Sequence, residues 1–530
     1  MSDAPAENLM PATPACATPP SGAAPRQSRL ITSVAGNWVW FGVVIASGFV
    51  LPRLIDEYQG SDVLGIWDFG WSMVVSVRWL HLGMAGALNR YVARYVTTAE
   101  WRSLNVFVNS ALGVLALTCM AGLLIAGGVG LMAPRLLQGI QPEHAAVVRW
   151  TAFLLSTVAL SEMAGNVINS LITGSGRFDV LNVLRTVREM VTLGLMVVVL
   201  GLGRGLIALA VTMLLTSIVL NAIYLVAARR LIPMMRLAPG YFQWREVRTI
   251  LGFSSKSVAH ALSRGMLYQV NSILVGMLLG PLALALYSRQ RSLVQNGASL
   301  VSQYACVLLP KSSALDARGD IAGLQSLLIK GSTYGWYLAL PIMLTIVLIG
   351  TPVVRLWMGA DYMAPAVLAT LASGHLLPIA QNSVYMILIG QGRHGVPALY
   401  SVGAAVLSVA LAYTSMKFGA GLAGAAAAIA ISLTLSEGVL GPMYACRLLK
   451  LSYWTYLKDT VLNPLLISAP YALCLLAARL MFPDSDYLCV LVGLASGAAV
   501  LGLEYWLWVL PASLKASLVR GLQMGSVESH

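Results

Sequence analysis

Residues 60–74 of this chain recur at residues 280–294. Gly60, Leu64, Trp67, Ser72 and Val74 fall opposite Gly280, Leu284, Tyr287, Ser292 and Val294. A second stretch repeats with a slightly shorter offset. Ala164, Asn166, Gly174, Gly176, Arg177 and Val180 fall opposite Ala380, Asn382, Gly390, Gly392, Arg393 and Val396. The chain is 58% hydrophobic, and a repeat of this length in such a chain predicts two homologous halves around a central site, a plan that transporters use.

Charged residues make up only 10% of the sequence, against ~25% in soluble domains, and the mean hydropathy is +0.77. Apolar runs of about 20 residues, each long enough to cross ~30 Å of hydrocarbon, recur along the chain. They predict an all-α polytopic membrane protein with about 14 spans, near 33–51, 63–88, 105–132, 147–173, 181–202, 205–227, 252–280, 282–310, 327–350, 362–390, 394–416, 421–446, 460–482 and 487–510. Six spans form each repeat unit, so the halves insert in the same orientation. The expected organisation is an N-lobe at 33–227, a basic linker at 228–251, a C-lobe at 252–446 and two further spans within 447–510. Cytoplasmic tails precede and follow at 1–32 and 511–530, the first Pro-rich and read as disordered.

Lysine and arginine set the orientation. With both termini in the cytoplasm, inner segments hold roughly 20 of the 34 basic residues and outer loops about seven. The net charge of +13 is then a topology signal and an attraction to anionic headgroups, and gives no reason to expect nucleic acid. The six cysteines are scattered without a C-x-x-C pair, which suggests neither zinc nor redox chemistry.

Charges inside the spans ask for a task, because each costs several kcal/mol at the bilayer centre. Arg78 lies near the middle of span 2. Lys256, His260 and Arg264 stand at i, i+4 and i+8 on one face of span 7. Stacked cations repel one another in lipid and make sense facing a wet cavity that receives an anion. Span 8 carries Arg289, Ser292, Gln295, Asn296, Ser299 and Gln303 within one wedge, read either as cavity lining or as interhelical glue. These cations and amides are the candidate substrate ligands. Glu162, Asp68 and Glu437 are candidate Na⁺ or H⁺ coupling groups. No cofactor, metal or catalytic residue is expected.

Leu64-Gly65-Ile66-Trp67, Leu82-Gly83, Asn89-Arg90-Tyr91-Val92-Ala93-Arg94-Tyr95 and Ile273-Leu274-Val275-Gly276 resemble Wzx-type polysaccharide-precursor flippases of the multidrug/oligosaccharidyl-lipid/polysaccharide (MOP) exporter superfamily. An acid often precedes the last motif in that family, and this chain has Asn271 nearby. The resemblance implies two six-helix lobes arranged as a V, a central cationic cavity and alternating access in a bacterial inner membrane. It implies a polyprenyl-diphosphate-linked glycan as substrate, moved to the outer leaflet, and a polysaccharide polymerase and chain-length regulator as the partners to look for. Energy would come from Na⁺, H⁺ or the membrane potential.

Three other functions compete. A drug exporter of the same superfamily takes cations and needs an acidic cavity, whereas basic groups here outnumber acidic ones inside the spans. A peptidoglycan-precursor flippase would share the cationic cavity. A glycan polymerase or glycosyltransferase usually works through a long outer loop, which this chain lacks.

Overall fold

The computed structural model describes residues 27–74, 77, 84–510 and 515, with the backbone alone at 27–34, 84–87 and 251–261. In the first half run α1 (Gln27–Gln59), α2 (Ser61–Met73), α3 (Met84–Thr97), α4 (Trp101–Leu136), α5 (Ala145–Gly174), α6 (Phe178–Gly201) and α7 (Leu206–Leu231). The second half holds α8 (Trp244–Gly265), α9 (Asn271–Cys306), α10 (Leu308–Ala317), α11 (Ile321–Met358), α12 (Pro365–Ala380), α13 (Asn382–Gly390), α14 (Gly395–Lys417), α15 (Gly421–Leu433) and α16 (Gly441–Leu448). Helices α17 (Tyr453–Met481) and α18 (Asp486–Glu504) follow. Among the described residues, 10 segments are long and apolar enough to cross a membrane. The expected span at 362–390 is broken at Gln381 between α12 and α13, that at 181–202 lies in α6 with Asp179, Arg185, Arg188 and Glu189, and that at 63–88 runs partly outside the described residues.

The repeat is written into the backbone as well as the sequence. Apart from Gly421 and Lys450, the described residues with left-handed φ come in matched pairs: Gly60 with Gly280, Ala99 with Gly319, Gly139 with Gly359, Gly176 with Gly392, and Gly203 with Gly419. The first three pairs are 220 residues apart and the last two 216, by subtraction of their numbers. Gly60 has φ 89° and ψ 165°, and Gly280 has φ 87° and ψ 179°. This region is open essentially to glycine alone. At Gly60 the chain turns a sharp corner from α1 into α2, and at Gly280 it turns between the two helical parts of α9.

The two corners bring α2 against α9. Gly65 meets the Pro281 carbonyl so closely that a Cβ would overlap it, and a Cβ on Gly276 would lie 2.7 Å from the Phe69 ring. One apolar core, including Leu64, Trp67, Phe69, Val275, Leu284 and Tyr287, therefore runs through both halves. At the other end the linker is strapped to α4. Asn105 accepts from Arg236 N at 2.8 Å and donates to Met234 O at 3.1 Å, while Asn109 accepts from Ala238 N at 2.9 Å and donates to Arg236 O at 2.8 Å. Two asparagine amides thus satisfy a run of non-helical backbone.

Helices α17 and α18 have no counterpart in the repeat and lie against α11. The buried Tyr456 hydroxyl on α17 donates to Gln381 Oε1, at the break between α12 and α13, and accepts from the Ser332 hydroxyl. Among the described residues the architecture is all-α: two halves related by the repeat, with two added helices.

Candidate functional site

Two charged clusters stand between or beside the lobes. The first is a clasp. Asp68, on α2, meets Arg289, on α9, with Nη2 2.6 Å from Oδ1 and 2.7 Å from Oδ2. Their side chains are 11% and 5% exposed. The Arg289 guanidinium also lies 6.0 Å from the centre of the Trp357 ring, whose Nε1 donates to Phe49 O at 2.7 Å. Nearby, the Tyr362 hydroxyl donates to Asp56, Gln290 Nε2 donates to Tyr362 O at 2.6 Å, and Gln138 N donates to Gly276 O at 3.2 Å. All but the Gln290 bond join the first half to the second. They gather toward the end of the bundle where α1 ends and α2 begins, the end that the basic-residue count assigns to the outside.

The second cluster belongs to the C-lobe and is more open. Arg264 Nη1 donates to both Glu437 oxygens at 3.1 Å, and the side chains are 45% and 26% exposed. The guanidinium lies 5.3 Å from the Tyr268 ring centre. The Tyr268 hydroxyl is 3.1 Å from His375 Nε2, and His375 Nδ1 is 2.7 Å from Leu371 O. A carbonyl can only accept, so Nδ1 carries the proton in the neutral ring and Nε2 accepts from the tyrosine. Arg291 Nη1 donates to Tyr268 O at 2.7 Å and Ser272 Oγ at 2.6 Å, filling backbone valence where the helix is irregular. Two π-helical stretches frame the cluster: Met266–Val270, just after Arg264, and Thr434–Leu440, which contains Glu437. Such turns are frequent at functional sites.

The remaining candidates are spread more widely. Gln295 and Asn296 are half-buried on α9 and Gln303 is exposed, one α9 face running on from the clasp. Ser299 and Ser302 turn back onto their own helix, bonding Asn296 O and Ala298 O. Glu162 lies 3.9 Å from Arg188 inside the N-lobe, where both line a pocket with Ser47, Glu189, Thr192 and Ser217. Arg188 Nη2 donates to Ser217 Oγ at 3.0 Å. Arg78 lies outside the described residues. Lys256 and His260 are on α8, two turns and one turn before Arg264, and their side chains lie outside the description.

Sequence reasoning missed His375 and the pairing of Arg264 with Glu437. A lone histidine in span 10 was the available signal for the first. The second spans 173 positions and leaves no local trace. Arg289 and Asp68, expected at the substrate and ion sites, are joined to each other in the clasp.

These halves, corners and added helices make a polytopic membrane protein whose fold is shared with solved transporter structures. Over 91% of this chain and 99% of the other, it superposes on the structure titled lipid II flippase MurJ, inward closed conformation, with a TM-score of 0.67 at 14% identity. Over 80% of this chain and 98% of the other, it matches the inward-facing conformation of a multidrug resistance MATE family transporter, with a TM-score of 0.62 at 15% identity. Sequence narrows the class. Residues 110–366 match the family model described as polysaccharide biosynthesis protein. An uncharacterized membrane protein, EpsK of Bacillus subtilis strain 168, is 25% identical over 240 residues, 45% of this chain and 47% of that relative. The match thus spans about half the length of the curated relative.

Proposed function

We propose that the chain is a flippase that carries a polyprenyl-diphosphate-linked oligosaccharide from the inner to the outer leaflet of a bacterial inner membrane, for polysaccharide biosynthesis. The observation that carries this reading is Arg264: a half-exposed guanidinium held within an apolar lobe, beside the polar face of α9. The sequence match to polysaccharide biosynthesis proteins and the fold shared with a lipid II flippase support it.

The chemistry is electrostatic. A lipid diphosphate carries about −2 and cannot cross hydrocarbon unaided. A guanidinium fork can grip it through two parallel N–H bonds. Gln295, Asn296 and Gln303 offer donors and acceptors to sugar hydroxyls. Arg78, Lys256 and His260 are assigned to the same cationic surface from their place in the sequence. With the clasp closed on the outside, the cavity opens inward, and rocking of the lobes about α2 and α9 exchanges the two openings. An inside-negative potential favours outward movement of an anion by ~2.3 kcal/mol per charge per 100 mV. Glu162 is assigned to cation coupling in the N-lobe pocket: Asp68, Glu437 and Glu162 all face arginines, and Glu162 does so most loosely, at 3.9 Å.

The test is genetic and chemical. Cells lacking the gene, complemented with Arg264→Ala or Arg78→Ala, should accumulate the lipid-linked glycan on the cytoplasmic leaflet although the protein inserts normally. Near-normal export with both variants would overturn the cationic-cavity reading. An unchanged glycan profile with altered dye efflux would point to a drug exporter instead.

A further inference from the structure

Arg264–Glu437 and Asp68–Arg289 are ion pairs of different kinds. The clasp is shut away at 5% and 11% exposure, while Arg264 and Glu437 are 45% and 26% exposed. This pair is less enclosed than the clasp, so a ligand can reach it. Glu437 engages Nη1 alone, and the other edge of the guanidinium has no hydrogen-bond partner among the described residues. Both partners sit at π-helical stretches, whose extra residue per turn gives each helix room to readjust. The pair can part without unwinding either helix.

A membrane sets Arg264 a selection problem. Anionic phospholipids present phosphodiesters of charge −1 in great excess over any lipid-linked precursor. A bare arginine in a lipid-accessible cavity would be occupied by them. A carboxylate 3.1 Å away on the same chain competes as an intramolecular ligand at an effective concentration in the millimolar range or above. A monoanion gains little by displacing it. A dianion gains more, because it brings twice the charge and can take both edges of the fork.

We propose that Glu437 is a specificity-determining residue, a built-in stand-in for phosphate that holds Arg264 until a dianionic diphosphate displaces it and so excludes the monoanionic headgroups of the bilayer. This rests on the reading that the cavity receives a lipid-linked diphosphate.

The experiment uses the full chain in nanodiscs of phosphatidylcholine, a radiolabelled short-chain polyprenyl diphosphate as probe and phosphatidylglycerol as competitor. Wild-type protein should hold the probe against a large excess of phosphatidylglycerol. Glu437→Gln should bind the probe more tightly and lose it to phosphatidylglycerol at roughly tenfold lower competitor. Glu437→Asp keeps the charge but shortens its reach, and should shift selectivity the same way by a smaller factor. It keeps the test valid if the glutamine variant does not fold. Binding with selectivity unchanged in the folded variants overturns the filter alone. No binding of the diphosphate by wild-type protein overturns the proposed function, and the filter with it.

Discussion

Arg289→Met should open the outer end of the bundle. Arg289 and Asp68 are 5% and 11% exposed, so deleting the cation strands a buried carboxylate, and breaking a buried pair in this way costs about 3–5 kcal/mol. The carboxyl can escape by taking a proton instead. Near pH 7 that costs about 4 kcal/mol for a group with an ordinary pKa of about 3.9, which caps the penalty within the same range. Separating the lobes lets water reach Asp68, so nearly all of the cost falls on the closed state. At 1.36 kcal/mol per factor of ten, the ratio of closed to open should fall roughly 150- to 1,000-fold. Spin labels in a cysteine-free background at Tyr58→Cys, on the last turn of α1, and Asp361→Cys, in the 3₁₀ turn that holds Tyr362, bracket the outer end; both side chains are exposed. Double electron–electron resonance in nanodiscs should show the distance distribution lengthening in Arg289→Met. The double variant Asp68→Asn/Arg289→Met removes the stranded charge and should shift it back. Unchanged distances in a folded Arg289→Met protein, or a double variant as open as the single one, would refute the clasp.

Three further outcomes follow from local structure. Gly280→Ala places a side chain at φ 87° and ψ 179°, and should destabilise the protein by about 1–3 kcal/mol, read as a lower thermal midpoint. Tyr456→Phe removes the buried hydroxyl that joins Ser332 and Gln381; the stranded partners should cost about 1–3 kcal/mol, checked by denaturant titration in detergent. At the mouth of α6, Arg177 donates to Asp179 at 3.0 Å and holds its carboxyl below the usual range. Its folded-state pKa being depressed, this contribution is present above the unfolded carboxyl pKa and lost as pH falls through the folded one. The pair is about a third exposed, so the effect is small, and Asp179→Asn should flatten this part of the stability–pH profile below about pH 4.

The frame was legible because turns constrain residue type more tightly than helices do. Gly60 and Gly280, or Gly176 and Gly392, can be found from sequence since their φ values all but demand glycine. Ala99 opposite Gly319 escaped notice because alanine occupies the same left-handed turn at φ 55°. The stacked face of Lys256, His260 and Arg264 is a helical-periodicity signal and needs no tertiary knowledge. Which carboxylate answers a given arginine is another matter. Glu437 lies on a helix that reaches Arg264 only once the C-lobe is packed, and the π-helical stretches beside both residues shift the face a regular helix would present. Asp68 and Arg289 were each placed on the expected helix, but their union depends on how closely α2 and α9 approach, which Gly65, Gly276 and Pro281 decide.

Asp68 pairs with Arg289 one residue away from its own counterpart, Ser288, and the counterpart of Arg289 is Phe69. The clasp therefore sits where each half presents the same stretch of itself to the other. Identical halves carrying acid and arginine at both places would make it twice, Asp68 with Arg289 and an acid at 288 with an arginine at 69. Here Phe69 and Ser288 occupy the second site, so the copies have diverged and the clasp is made once. The same seam makes the molecule polar in a functional sense, since a few substitutions on one copy are enough to determine which end of a near-symmetric bundle stays shut at rest.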